Sequence, residues 1–285
     1  MIHFIQNDYL KVGVKEFGCE ITSIVSKESG FEFLWQGDPS VWGGQSPILF
    51  PFIGRLLNDT YTLNGKDYTM QKHGFARKLP WQLFNKDEDS VSFILTENEE
   101  TLKAYPYCFE LVVTFMLNDR KLIVKHEVKN KNNADMYFSL GAHPAFNCEI
   151  GDTLVFDDEE TLNCMSIDLE NSLLLPETYP LLQNEKTIII TEDIFKNDAL
   201  IFEGVKSANI TLIRKSDLRK VIFNLGNSPY LGIWAKPGAP YVCIEPWYGL
   251  NDSHEKKSDL SEKVGIQKLT SDEFFTFTWD AEFIG

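Results

Sequence analysis

Two residues in this sequence have the types and surroundings that acid–base chemistry needs. His143 stands before Pro144 in the run Ser-Leu-Gly-Ala-His-Pro-Ala-Phe-Asn, and Glu245 stands before Pro246 at the end of an apolar strand. A proline removes a backbone donor and holds the residue before it in an extended conformation, so both side chains should lie at a strand end or bulge. A strand end or a buried ion pair explains each residue alone. Together, an imidazole and a carboxylate without a nucleophile motif indicate general acid–base catalysis.

A second polar group follows Gln71. At a strand's period of two, His73, Phe75 and Arg77 share one face and Lys72 lies on the other. A face with a histidine, an aromatic ring and an arginine suits a polar ligand with a stacking surface better than a dry core. A structural cluster with satisfied hydrogen bonds is the alternative.

Arg55 is a further candidate, because it follows an apolar run and Gly54 where a strand should meet a loop. Its planar guanidinium fits two adjacent oxygens, such as neighbouring sugar hydroxyls or a phosphate. A surface ion pair explains the same residue equally well.

The other histidines are less promising. Alternation places His126 with Leu122, Val124 and Val128 on an apolar strand face, which favours a half-buried structural histidine. His3 and His254 lie in polar surroundings and are expected to face solvent. The histidines have no characteristic metal-ligand spacing, so no metal site is predicted from them.

The elements that must position these residues are almost all strands. Alternating segments recur along the chain and are separated by turns, of which Asn64-Gly65 is a strong hairpin signal. Predicted strands include 31–35, 153–156 and 187–190, whereas the best helical signal is Glu97 to Ala104. This pattern predicts an all-β antiparallel sandwich or barrel, with residues 1–285 forming one domain.

Composition limits the possible partners. A net charge of -15 argues against nucleic acid or an anionic membrane as the main partner. The acidic runs 87–89 and 157–160 are expected to be solvated. Five scattered cysteines without a CxxC spacing predict reduced, buried thiols and a cytoplasmic location. No secretory signal and no membrane-spanning run are expected.

Several motifs, in this order along the chain, resemble the galactose mutarotase (aldose 1-epimerase) superfamily. They are Phe17-Gly18-Cys19-Glu20-Ile21, Gly54-Arg55, His73-Gly74-Phe75-Ala76-Arg77, His143-Pro144 and Glu245-Pro246-Trp247. The chain most resembles the LacX-like branch, near the hexose-6-phosphate epimerases. The resemblance implies a large antiparallel β-sandwich with an open cleft across one sheet, and chemistry without a cofactor.

The resemblance also implies roles for individual residues. Glu245 matches the base that takes the proton of the anomeric hydroxyl, and His143 matches the acid that protonates the ring oxygen. His73 and Arg55 match residues that hold the sugar, and Asp198 matches an aspartate that binds a sugar hydroxyl. A carboxylate near His143 is expected to favour its imidazolium form. The family usually has Asn and an aromatic residue where this chain has Ala142 and Pro144, which puts the preferred sugar in question.

Two alternatives stay open. Arg55, Lys72 and Arg77 could form a phosphate pocket, which would make the protein a hexose-6-phosphate 1-epimerase. Lys72 is predicted on the opposite face from Arg77 unless a bulge at Gly74 turns it. The fold could instead serve a non-catalytic carbohydrate-binding or sugar-sensing module. In each case the expected partner is a small sugar, and the protein is expected to be a monomer or homodimer.

Overall fold

The structure is a computed structural model that describes residues 1–255 and 257–285. Its main element is an antiparallel sheet to which fifteen of the described strands belong. These strands form because apolar residues alternate with polar ones; in Lys121–Asn130, for example, every second side chain is buried. The prediction of an all-β antiparallel fold is confirmed.

Most of the described strands are short, and five of them span ten residues or more. The strands of the first half are β1 Ile2–Gln6, β2 Leu10–Lys15, β3 Glu20–Ser26, β4 Ile48–Leu49, β5 Thr60–Leu63, β6 Lys66–Thr69, β7 Gln82–Lys86, β8 Ser90–Thr96, β9 Phe109–Asn118, β10 Lys121–Asn130 and β11 Met136–Phe138. The remaining strands are β12 Leu140–Ala142, β13 Ala145–Asn147, β14 Thr153–Ile167, β15 Leu174–Ile189, β16 Leu200–Glu203, β17 Asn209–Ile213, β18 Lys220–Asn224, β19 Tyr230–Trp234, β20 Tyr241–Tyr248, β21 Gln267–Leu269 and β22 Phe274–Ile284.

The order of strands in the large sheet brings distant segments side by side. It runs β4-β12-β20-β19-β16-β14-β17-β18-β22-β10-β9-β8-β7, with β13 also paired to β20 and β15 to β14. The strand that carries Glu245 therefore lies between the segment that carries His143 and β19. Three smaller sheets, β1-β2-β3, β5-β6 and β11-β21, complete the strand pairing of the described residues.

Helical structure is minor. The helix α1 spans Glu99–Ala104, within the predicted 97–104, and short 3-10 turns span Leu57–Asp59, Ala76–Lys78 and Leu260–Glu262. Asn98 caps α1 because its side chain accepts hydrogen bonds from the backbone N–H groups of Glu100 and Thr101. None of the described helices is long and apolar enough to cross a membrane.

Local chemistry explains where strand prediction failed. Residues 31–35 form only isolated bridges, because the Glu32 carboxylate accepts hydrogen bonds from the N–H groups of Ile24 and Leu34. The predicted strands 153–156 and 187–190 are the ends of the much longer β14 and β15.

The acidic run 157–160, expected to be solvated, lies inside β14, and its last member is buried. Oε1 of Glu160 accepts hydrogen bonds from the N–H groups of Lys206 and Ser207 and from the Ser207 hydroxyl. These donors compensate for the loss of water around the buried carboxylate, so it acts as an internal anchor for the segment that follows β16. The prediction of a fully solvated run was wrong at this residue.

Three histidines lie outside the cavity that is described below, and strand alternation and local charge determine their positions. His126 is buried and stacks on Phe277, with 5.2 Å between ring centroids, so its predicted structural role is confirmed. His254 is half exposed and pairs with Asp168, as expected of a surface histidine. The expectation for His3 was wrong. Its position in β1 turns the ring inward, where Nε2 lies 2.8 Å from a carboxylate oxygen of Glu16.

Burial of His126 predicts a loss of stability in acid. It lowers the pKa of the imidazole from 6.5 to about 3, so on acidification the unfolded state takes up this proton first. The stabilisation is therefore present above pH 6.5 and is lost as the pH falls towards 3. We expect wild type to lose about 1 kcal/mol per pH unit relative to His126→Phe below about pH 6.

Urea unfolding of both proteins between pH 7 and pH 4.5 measures this difference. Other titrating groups are common to the two proteins, so they cancel when the two free energies of unfolding are subtracted. Two curves that stay parallel over the whole range would contradict the assignment.

Candidate active site

His143 and Glu245 are brought together by the register of the large sheet. In the pairing of β12 and β13 with β20, Gly141 is opposite Trp247 and Ala145 is opposite Cys243. The intervening His143 is therefore opposite Glu245, in a short break between β12 and β13. Their separation is consequently set by strand pairing and does not depend on a loop.

The two side chains form a close, buried pair. Nε2 of His143 lies 3.3 Å from Oε2 of Glu245, with 9% and 1% of the respective side-chain surfaces exposed. The two atoms are not aligned as a hydrogen bond. Among the described residues, Oε2 of Glu245 and Nδ1 of His143 have no hydrogen-bond partner. Buried polar atoms without partners are costly, and they are typical of sites that a ligand completes.

Burial also decides which protonation states the pair prefers. It raises the pKa of Glu245 well above 4.5 and lowers the pKa of His143 from 6.5 to about 3, and the positive charge of Arg77 acts on His143 in the same direction. The expectation that the carboxylate favours an imidazolium was wrong, because desolvation outweighs the attraction. Burial therefore favours the uncharged forms of both groups, a carboxylic acid beside a neutral imidazole.

The pair lies in a cavity of about 300 Å³. Of the residues singled out in the sequence, five line this cavity, and so does Lys72 of the alternative phosphate pocket. The five are His73, Arg77, His143, Asp198 and Glu245. Further lining residues that the sequence did not indicate as site residues include Trp42, Trp234, Trp247 and Asn251.

His73 is held by two reciprocal hydrogen bonds with Gly54. The backbone N–H of His73 donates to the carbonyl of Gly54 (2.8 Å). The backbone N–H of Gly54 donates to the ring nitrogen Nδ1 of His73 (3.1 Å). Because Nδ1 accepts, the neutral ring carries its proton on Nε2. Burial lowers the pKa of His73 well below 6.5. His73 thus offers a ligand a neutral N–H donor, next to the ring of His143 at 6.0 Å between centroids.

The segment around His73 is a turn, which corrects the predicted division of its residues between two strand faces. His73 and Gly74 have φ angles of 65° and 68°, so the chain cannot stay extended there. Phe75 consequently points into the core, whereas Lys72 and Arg77 both line the cavity. Gly74 is required at this point, because a Cβ would lie 2.2 Å from the carbonyl oxygen of Phe50.

Lys72 and Arg77 supply two positive charges to one cavity. Arg77 donates from Nη2 to the carbonyl of Lys72 at 3.0 Å, and its buried Nε has no partner among the described residues. Lys72 donates from Nζ to the hydroxyl of Ser172 at 3.3 Å. Neither cation has a carboxylate partner within ion-pair distance in the described structure, so both can bind oxygens of a ligand.

Arg55 is not brought together with His143 and Glu245, although it lines a separate pocket with Lys72. Its guanidinium forms a two-bond ion pair with the carboxylate of Asp59, with both distances 2.8 Å, and it does not line the cavity of His143. The surface ion pair named as its alternative is what the structure contains. Within the Gly54-Arg55 motif, it is Gly54 that touches a cavity residue, through His73.

Asp198 lies at the rim of the cavity in a left-handed conformation, with φ of 73°. Its Oδ1 accepts a hydrogen bond from the N–H of Ala199 at 2.8 Å. This bond fixes the carboxylate and leaves Oδ2 available to a ligand hydroxyl.

Aromatic side chains enclose the acid–base pair. The indole of Trp42 stacks on the ring of His143 (5.1 Å, 24°), and Trp234 meets that ring edge-on at 5.7 Å. Trp247 lies between two glycines of the neighbouring strands, since a Cβ at Gly141 or Gly232 would approach its ring to 2.8 Å or less. The small residues before His143 therefore make room for this indole, whose buried N–H has no partner among the described residues.

Comparisons with known proteins show which family the whole chain resembles. The family model for aldose 1-epimerase matches residues 1–259. Protein LacX (chromosomal) of Lactococcus lactis subsp. lactis is 34% identical over 280 residues, which is 93% of either chain. A galactose mutarotase related enzyme from Lactobacillus acidophilus superimposes with a TM-score of 0.95 at 32% identity, covering 100% of this chain and 98% of the other.

A shorter match concerns a protein of Escherichia coli (strain K12) that carries the provisional name glucose-6-phosphate 1-epimerase. It is 36% identical over 105 residues, which is 34% of this chain and 33% of the relative. The resemblance found in the sequence, including its LacX-like branch, is confirmed by these matches. The chain belongs to the aldose 1-epimerase family.

Proposed function

We propose that the protein is a cofactor-independent aldose 1-epimerase that interconverts the α and β anomers of a hexose. The main support for this proposal is that His143 and Glu245 are buried side by side on neighbouring strand segments. They lie in a cavity lined by hydrogen-bonding side chains. A hexose also offers apolar faces of C–H groups, for which Trp42 and Trp234 provide stacking surfaces.

The reaction needs one base and one acid. The Glu245 carboxylate accepts the proton of the anomeric hydroxyl while the His143 imidazolium donates a proton to the ring oxygen, and the bond between C1 and the ring oxygen breaks. Rotation about the C1–C2 bond of the open-chain aldehyde is followed by the reverse transfers, which close the ring as the other anomer. Both residues return to their starting states, so no redox step and no external proton acceptor are required.

The resting pair must move one proton before it acts. Transfer from Oε2 of Glu245 to Nε2 of His143 spans the 3.3 Å contact and yields the carboxylate and imidazolium. Hydroxyls of a bound sugar hydrogen-bond to both charged groups and replace the water that burial removed, which favours this form. His73, as a neutral donor from Nε2, holds a sugar oxygen without adding a charge that would oppose the imidazolium.

Polarimetry tests the proposal. Freshly dissolved α-glucose and α-galactose are followed with and without the protein, against the uncatalysed rate, and the same assay is run with 6-phosphorylated hexoses. Acceleration with a free hexose supports a mutarotase. Sugar binding by calorimetry without any acceleration would instead support a non-catalytic sugar-binding module.

A second candidate, hexose-6-phosphate 1-epimerase, is favoured by one observation. Lys72 and Arg77 line the same cavity as the acid–base pair, contrary to the opposite faces predicted for them. Both cations lower the pKa of His143. A phosphate bound between them would offset their charge and thereby make the imidazolium of His143 easier to form.

Lys72→Met separates the two candidates. Since a hydrogen bond to a charged group is worth about 1.5–3 kcal/mol, the variant is expected to lower kcat/KM for a 6-phosphorylated hexose roughly 10- to 100-fold. The value for the free hexose should change far less. Lys72 is chosen over Arg77 because Arg77 also holds the turn by its bond to the carbonyl of Lys72.

Lys78→Met is the matched control, because this lysine is exposed and does not line the cavity. Equal loss with free and phosphorylated sugar would rule out a phosphate site at Lys72, and so would no loss with either.

The cellular setting follows from the cysteines. All five are free thiols, four of them buried, which fits a reducing cytoplasm. A monomer or a homodimer is proposed, and residues 1–285 are proposed to act as one unit.

A further inference from the structure

We infer that His143, Cys243 and Glu245 form a binding site for one thiophilic divalent cation, such as Zn²⁺, which competes with the sugar. All three residues are buried, and one ligand atom from each lies within 4.8 Å of the other two. Imidazole nitrogen, thiolate sulfur and carboxylate oxygen are the donor types that zinc sites use.

Strand geometry places the thiol beside the acid–base pair. Cys243 stands two residues before Glu245 on β20, so both side chains point to the same face of the sheet. His143 is opposite Glu245 and diagonal to Cys243 in the same ladder. Ligand atoms of a tetrahedral zinc site are about 3.3–3.8 Å apart, given Zn–ligand distances of ~2.0–2.3 Å. The three atoms can reach this spacing by small side-chain rotations.

A second observation points to a ligand at this position. Oε2 of Glu245 is buried and has no hydrogen-bond partner among the described residues, although a carboxyl oxygen is a strong acceptor. A cation between the three side chains satisfies this atom. No other group of His, Cys, Asp and Glu among the described residues combines a thiol and an imidazole in this way.

The charge balance is favourable. Binding needs the thiolate of Cys243 and the carboxylate of Glu245, whose two negative charges match those of a divalent cation, so metal binding releases protons. Affinity therefore rises with pH. Lys72 and Arg77 face the same cavity and oppose the cation, while Asp198 attracts it. The open side of the cavity leaves room for a water as fourth ligand.

A bound cation should inhibit the proposed reaction, because it would coordinate Nε2 of His143 and an oxygen of Glu245. This consequence rests on the proposed function, whereas binding itself does not. A cation-bound protein would keep its fold and lose both proton transfers together.

The test measures binding and activity separately. Zn²⁺ binding is followed by calorimetry, and Co²⁺ is added as a spectroscopic probe whose charge-transfer band reports a thiolate ligand. The variants are Cys243→Ser and, as matched control, Cys164→Ser, since Cys164 is a buried free thiol on β14 that belongs to no such cluster. His143→Gln tests the imidazole independently, should the serine variant fold poorly.

We expect one Zn²⁺ per chain in wild type and in Cys164→Ser, and affinity at least about 100-fold weaker in Cys243→Ser, beyond the range for losing an outer partner of a ligand. The Co²⁺–thiolate band should vanish in Cys243→Ser alone. Equal Zn²⁺ affinity in wild type and Cys243→Ser would overturn the site.

Zn²⁺ should also suppress anomer interconversion in wild type but not in Cys243→Ser, each rate being compared with that of the same protein without metal. If wild type binds Zn²⁺ through Cys243 and its activity is unchanged, the proposed acid–base pair is wrong while the cation site stands. The two failures are thus distinguishable.

Discussion

Replacing Glu245 by glutamine is expected to lower the rate of anomer interconversion by a factor on the order of 10² to 10⁴, the contribution of one positioned proton transfer. The amide keeps the size of the side chain but cannot accept the proton of the anomeric hydroxyl. The protein should stay folded, because the variant removes a carboxyl group whose ionised form is costly in this buried position. Polarimetry gives the rate, and thermal unfolding gives the stability.

Glu160→Gln is the control, since Glu160 is a buried glutamate that does not line the cavity. Its variant should keep the wild-type rate even if its stability falls. A Glu245→Gln protein with the wild-type rate would remove Glu245 from the mechanism.

His143→Ala is expected to cause a loss of the same order, about 10² to 10⁴, because the ring oxygen then leaves without a proton donor. The alanine leaves a space beneath Trp42 in the shape of an imidazole. Free imidazole in the assay should enter this space and restore part of the rate. It should have no such effect on Glu245→Gln, so rescue separates a lost acid from a general disturbance of the site.

His254→Ala provides the control, since this histidine is half exposed and does not line the cavity. The double variant of His143 and Glu245 should be little slower than either single variant, because the two transfers act as one unit. Losses that multiply would indicate that the two residues act independently.

The sequence was sufficient for those parts of the structure that depend on local alternation. The antiparallel β fold was predicted because strands such as Lys121–Asn130 alternate between buried and half-buried side chains without interruption. The Asn64-Gly65 hairpin formed because both residues accept positive φ angles. Predicting that His143 and Glu245 act together required the family resemblance. The two residues are far apart along the chain, and no local sequence pattern predicts the register of their strands.

The turn at His73 was left as an alternative, because its sequence fits a strand and only Gly74 signalled a bulge. An alternating sequence pattern does not reveal that a non-glycine residue has a positive φ. At His73 the backbone strain of this conformation is offset by two hydrogen bonds to Gly54. The same limitation hid the shared cavity of Lys72 and Arg77. For Arg55 a local signal did exist, since Asp59 follows four residues later and captures the guanidinium.

Other site features depend on long-range contacts. Trp42 lies in a loop next to two glycines, and only the folded chain shows that its ring stacks on His143. Glu160 was read as a surface residue because its hydrogen-bond donors lie 46 and 47 residues further on. Such partners become visible only when the topology is known.

The ladder pairing of His143 and Glu245 also has a consequence for the divergence of related proteins. An insertion of one residue in β20 would turn Glu245 to the opposite face, so the chemistry tolerates little change in strand length. Trp42, Lys72 and Asp198 lie outside the strands, where exchanges and insertions are tolerated. Substrate preference can therefore drift by mutation while the reaction is inherited unchanged.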